Sequence, residues 1–127
     1  MRVRKIYQQG AALWRLALAV AAGVCVAMAL TPEPPLLPGN PSDKLLHAAA
    51  FMTLAILARM AFPKAQAWAI VVWLSALGLA IECAQALPAV GRNASLADWL
   101  VDVAASALGV VVIYALLPRA ARWSAEP

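Results

Sequence analysis

Eight polar residues are spaced so that they can form one site if the segments that carry them are helical. They are Asp43, Lys44, His47, Glu82, Gln85, Arg92, Asp98 and Asp102. Asp43 and His47, Glu82 and Gln85, and Asp98 and Asp102 are three or four residues apart, a spacing that puts both members of each pair on one side of a helix. The set combines carboxylates, an amide, an imidazole and two cations, so it can bind a polar ligand or transfer protons.

Two kinds of chemistry are open to these residues. In a binding site, Lys44 and Arg92 would meet phosphate or carboxylate, while the carboxylates and His47 would hydrogen-bond sugar or amine groups. In an enzyme, His47 with Glu82 or Asp98 would act as general base and acid, with Arg92 stabilising an oxyanion. The sequence shows no nucleophile elbow, phosphatase or HExxH pattern, so whether the protein is an enzyme stays uncertain.

Simpler structural roles compete with these functional ones. Asp43 and Asp98 suit helix N-termini, Lys44 suits a lipid headgroup anchor, and His47 can be a structural hydrogen-bonding residue. Glu82 is the hardest to explain this way, because a carboxylate near a helix C-terminus opposes the helix dipole. It needs a compensating partner, and Arg92, Lys44 and His47 are the candidates.

No metal and no cofactor are predicted. Cys25 and Cys83 lie in apolar runs, and neither has a second cysteine at metal-ligand spacing, so both are expected to be free thiols. A divalent ion held by His47, Glu82 and the aspartates is an alternative, but the spacing of such residues is weak evidence by itself.

The composition indicates a membrane protein. Of 127 residues, 65% are hydrophobic and only 13% are charged, about half the charged share of a soluble domain. The net charge of +4 comes largely from basic residues that flank the apolar runs. That placement is typical of topology signals rather than of nucleic-acid binding.

The apolar runs predict an all-α, four-helix membrane bundle that forms a single domain over 1–127. The helices are expected at about 11–30, 43–62, 65–87 and 95–117. Ala27-Met28-Ala29 resembles a signal-peptide cleavage site, but the first run is long enough to span, and a retained helix is expected. Ser42 or Asp43 is expected to cap the second helix, and Ser95 with Asp98 has the spacing of a capping box at the fourth.

The basic residues predict the orientation. They concentrate at the start of the first run, around the connection between the second and third, and after the fourth: Arg2, Arg4, Lys5, Arg15, Arg59, Lys64, Arg119 and Arg122. Under the positive-inside rule both termini are cytoplasmic, and the eight polar residues gather in the outer leaflet.

Several of these residues carry a family resemblance. The string Ser42-Asp43-Lys44-Leu45-Leu46-His47 with Phe51, then Glu82-x-x-Gln85, then Gly91-Arg92 and Ser95-x-x-Asp98, resembles the VanZ-like family. The resemblance covers residues 42–109. The chain departs from it at Asp102, where family members commonly carry Asn, and at Ala105-Ser106, where they carry a Gly about one turn after that Asn.

The resemblance implies a multi-pass protein of the bacterial cytoplasmic membrane, from a family linked to teicoplanin resistance. The expected partner is a membrane lipid or a lipid-linked wall precursor, with no nucleic acid and possible homo-oligomerisation. Binding of such a lipid or precursor is the preferred hypothesis. An intramembrane acid/base enzyme and a small proton-linked carrier using Glu82 and Asp102 are the alternatives.

Overall fold

Four helices account for most of the chain. A computed structural model describes residues 2–116, with side chains from Gly10 onward. The helices are α1 (Arg2–Leu30), α2 (Asp43–Ala61), α3 (Ala67–Gln85) and α4 (Leu96–Leu116). All four are long and apolar enough to cross a membrane, which confirms the predicted all-helical membrane fold. Residues 117–127, which include the predicted helix end and Arg119 and Arg122, lie outside the described part.

The predicted helix positions agree with the observed ones except at α1. That helix starts at Arg2 instead of near Ala11, because no proline interrupts the basic and polar residues that precede the apolar run. After α1, the proline-rich segment from Pro32 to Pro41 is not helical, as its composition predicts.

The core of the bundle lies between α2 and α4, which pack more extensively than any other pair. Phe51, Leu54 and Ala55 of α2 are almost completely buried there. Gly109 permits the close approach, since a Cβ at this position would lie 2.7 Å from the carbonyl oxygen of Met52. Small residues at such crossings are typical of helices packed in lipid.

The other helices complete the bundle around this pair. α1 packs on α2, α3 packs on α4, and within residues 2–116 α1 does not approach α4. Large apolar side chains such as Trp73, Val111 and Leu116 point away from the bundle. In a membrane these exposed surfaces face lipid.

Two arginines hold the end of the bundle where α2 finishes. Arg59 is only 4% exposed, donates to the carbonyl of Pro63, and lies 4.6 Å from the centre of the Tyr114 ring. Arg15 donates from Nε to the carbonyl of Ala61 at 3.2 Å. Arg15 therefore satisfies a carbonyl of the last turn of α2, and Arg59 satisfies a carbonyl in the connection that follows it.

Candidate functional site

The eight polar residues predicted from the sequence all lie at one end of the bundle, where α1 and α3 end and α2 and α4 begin. We call this the polar end, and the eight residues the polar cluster. Consecutive helices run in opposite directions, so the start of one helix lies beside the end of the next. Residue spacing within each helix then places the members of a pair on one side. Within the cluster, however, the residues have different partners and different exposures.

Two pairs of polar side chains join α2 to α4. His47 Nδ1 lies 2.8 Å from Asp102 Oδ1, and Asp102 is completely buried. Lys44 Nζ donates to Asp98 Oδ1 at 3.1 Å, one turn closer to the helix ends. The Lys44 side chain is 59% exposed, whereas Asp98 is buried. Burial therefore increases from the Lys44–Asp98 pair to the His47–Asp102 pair.

Glu82 pairs with the start of α4. Its Oε2 accepts a hydrogen bond from the backbone N–H of Ser95 at 2.6 Å. The sequence predicted Arg92, Lys44 or His47 as partners, but within the described residues none of the three forms an ion pair or hydrogen bond with it. A helix N-terminus carries free N–H groups and a partial positive charge, so it compensates a carboxylate as a cation would.

The predicted capping box of α4 is therefore only half formed. Ser95 Oγ accepts from the N–H of Asp98 at 3.3 Å, as expected. In a complete capping box the Ser95 N–H would donate to Asp98. Here it donates to Glu82, and the Asp98 carboxylate accepts from Lys44 instead. At α2 the cap is Ser42, whose Oγ accepts from the N–H of Leu45 at 3.2 Å.

Arg92 lies in the connection between α3 and α4, after a turn at Gly91 with φ +65°. This left-handed conformation favours glycine. The guanidinium donates to the carbonyl oxygen of Thr31 at 3.3 Å and to Asp43 Oδ1 at 3.4 Å. Arg92 thus links the end of α1 to the beginning of α2.

Gln85 joins two helices instead of facing the other polar side chains. Its Nε2 donates to the carbonyl oxygen of Ala29 at 2.9 Å, and the residue is only 2% exposed. This carbonyl lies in the last turn of α1, where carbonyl groups have no hydrogen-bond donor within the helix. The structure therefore gives Gln85 a tethering role between α3 and α1.

Two buried carboxylate oxygens have no hydrogen-bond partner among the described residues, Glu82 Oε1 and Asp102 Oδ2. Asp102 Oδ2 faces Gly78 on α3, where a Cβ would lie 2.8 Å from the oxygen. A larger residue at position 78 would therefore displace this carboxylate. One ring nitrogen of His47 and one oxygen each of Glu82 and Asp102 lie within 4.8 Å of one another.

A cavity of about 200 Å³ opens beside the cluster, between the last turns of α1 and the first turns of α2. Three members of the polar cluster line it, namely Asp43, His47 and Arg92. The remaining walls are largely apolar and come from α1, α2, the proline-rich connection and Ile81. Lys44, Glu82, Gln85, Asp98 and Asp102 do not line the cavity.

The sequence predicts the charged residues of the polar cluster but not the backbone groups that complete the site. The Ser95 N–H and the carbonyls of Thr31 and Ala29 have no side-chain signature. Gly78 also belongs to the site, and its signal in the sequence is that it lies four residues before Glu82, on the same side of the helix.

These features define a class: a multi-pass membrane protein with four helices and a buried, charged site at one end of the bundle. A family model, VanZ/LLP1, matches residues 5–117, and the chain belongs to this family. Searches of curated proteins and of solved structures returned no match.

Proposed function

We propose that the polar end faces the outside of the bacterial cytoplasmic membrane and binds the headgroup of a cell-envelope lipid or of a lipid-linked wall precursor. The observation that carries this proposal is the cavity of about 200 Å³. It combines three polar side chains with walls that are otherwise largely apolar. A lipid likewise combines a polar headgroup with apolar chains. Ligand sites commonly have this composition, with a few polar groups fixing orientation.

Arg92 is the residue best placed to meet an anionic headgroup. It lines the cavity, and its two hydrogen bonds of 3.3 and 3.4 Å are long for charge-assisted bonds. Exchanging them for shorter bonds to phosphate or carboxylate would be favourable, and a guanidinium has five donors in a fork that matches such groups. Asp43 and His47, in the same cavity, are suited to sugar hydroxyls or amines.

Binding of a wall precursor or envelope lipid at the outer surface would change how much glycopeptide antibiotic reaches its target. The protein would then influence susceptibility to a teicoplanin-type compound. Family membership supports this proposal, because it places the chain among VanZ-like proteins.

The proposal is tested by measuring susceptibility and membrane abundance together in one host. His47→Ala, Glu82→Ala and Arg92→Ala leave the lipid-facing apolar surface unchanged, so each variant is expected to insert. His47→Ala and Arg92→Ala remove groups that line the cavity, so each should lose most of the protection that the wild-type chain gives against a teicoplanin-type antibiotic. Glu82→Ala should lose protection through the weakened start of α4, which Glu82 holds through Ser95. Val72→Leu, at a site 57% exposed on α3, is the control and should retain both properties. Full protection by all three variants at normal abundance would contradict the proposal.

A second candidate function, acid/base catalysis on a lipid-linked substrate, is favoured by the His47–Asp102 contact. A carboxylate bonded to one ring nitrogen fixes the imidazole, and His47 also lines the cavity. His47→Gln separates the two candidates, because glutamine hydrogen-bonds but does not shuttle a proton at neutral pH. Retained protection in this variant supports binding, and lost protection with retained lipid binding supports catalysis.

A further inference from the structure

We propose that His47, Glu82 and Asp102 form a binding site for one divalent transition-metal ion, with Zn²⁺ or Mn²⁺ as the class of ion. The first observation is their geometry. One nitrogen of His47 and one oxygen from each carboxylate lie within 4.8 Å of one another, each carried by a different helix. Ligand atoms about 2.0–2.2 Å from an ion lie roughly 3–3.5 Å apart, so small side-chain rotations suffice.

The second observation is the pair of carboxylate oxygens without partners. Glu82 Oε1 and Asp102 Oδ2 are buried and accept no hydrogen bond from the residues that the structure describes. Glu82 is 6% exposed and Asp102 is completely buried. Buried polar atoms in native proteins are satisfied, and a bound ion is one of the recognised ways.

The third observation is the charge balance of the polar cluster. Lys44 pairs with Asp98 and Arg92 pairs with Asp43, so these four charges cancel. Glu82 and Asp102 are the two remaining carboxylates of the cluster, and within residues 10–116 His47 is the one basic side chain that pairs with either of them, through Asp102. A divalent cation with a neutral imidazole would bring this inner group to zero net charge.

The donor set selects the class of ion. An imidazole nitrogen with two carboxylate oxygens suits Zn²⁺ and Mn²⁺, whereas Mg²⁺ favours an all-oxygen shell. Three protein ligands leave positions open for water or for an oxygen of a bound headgroup. The site does not depend on the proposed headgroup binding, because metal uptake is measured without any lipid ligand.

Titration of the detergent-purified, full-length protein with Co²⁺, a spectroscopic substitute for Zn²⁺, tests the site. Wild-type protein should bind one equivalent, with visible d–d absorption that Zn²⁺ abolishes. Glu82→Gln and Asp102→Asn keep the side-chain shapes and should each weaken binding at least about tenfold. Glu33→Gln, an exposed carboxylate in the proline-rich connection, is the matched control and should bind like wild type.

Two results would overturn the proposal. One is the absence of stoichiometric Co²⁺ and Mn²⁺ binding by the wild-type protein. The other is a larger loss of affinity in Asp98→Asn than in Glu82→Gln, which would move the ion to the group formed by Asp43, His47 and Asp98. If the variants do not accumulate, pulsed electron paramagnetic resonance of Mn²⁺ added to wild-type protein tests whether His47 binds the ion. Nitrogen modulation from a bound imidazole is expected, and its absence contradicts the site.

Discussion

Glu82 on α3 caps α4: its Oε2 accepts the backbone N–H of Ser95 at 2.6 Å, although the two residues belong to different parts of the bundle. This bond supplies the half of the capping box that Asp98 does not make. It frees Asp98 to pair with Lys44 and fixes the start of α4 against the end of α3. Asp102 lies one turn beyond Asp98 on the same helix.

Glu82→Ala should therefore destabilise the protein. It leaves the N-terminal N–H of Ser95 without its acceptor in a partly buried position, at a cost of about 1–3 kcal/mol. Glu82→Gln retains an acceptor oxygen and should keep most of the stability. Thermal unfolding in detergent measures both, with Cys83→Ala, an exposed neighbour on α3, as the control. Equal stability of Glu82→Ala and wild type would contradict the capping role.

Two glycines should respond in opposite ways to alanine. Gly109→Ala places a Cβ 2.7 Å from the Met52 carbonyl oxygen and 2.9 Å from the Ala55 Cβ, which forces α2 and α4 apart. We expect a loss of about 1–3 kcal/mol, as for other overpacked cores.

Gly23 on α1 is the matched control, because no atom lies within 4 Å of a Cβ built there. Gly23→Ala should be neutral or should stabilise by up to about 1 kcal/mol, since alanine favours helix over glycine. Unfolding of both variants in the same detergent provides the comparison. A Gly109→Ala protein as stable as Gly23→Ala would show that α2 and α4 do not pack this closely.

The sequence predicted the four helices because proline, capping residues and apolar length mark helix ends in any environment. It also predicted which end of the bundle carries the polar cluster, since the direction of each helix alternates. It did not predict the pairings. Asp98 pairs with Lys44, and Glu82 pairs with a backbone N–H. Both pairings depend on side-chain length and on the rotation of each helix about its axis, and residue spacing does not determine either of these.

The distribution of basic residues predicts the orientation in the membrane, and reporter fusions test this prediction. A fusion after Pro38 should report the outside and a fusion after Lys64 the inside. The two connections lie on either side of α2, so the two reporters must give opposite results if α2 spans the membrane. The reverse pair of results would place the polar cluster at the cytoplasmic face and remove the wall precursor from its reach.

The proposed function requires that the polar end binds a lipid headgroup. Mass spectrometry of lipids that remain on the protein after mild detergent extraction measures this. Wild-type protein and Val72→Leu should retain the same anionic lipid or lipid-linked precursor. Arg92→Gln should lose it by about tenfold or more, because a hydrogen bond to a charged group contributes about 1.5–3 kcal/mol. Identical lipid content in all three proteins, at equal abundance and stability, would contradict headgroup binding in this cavity.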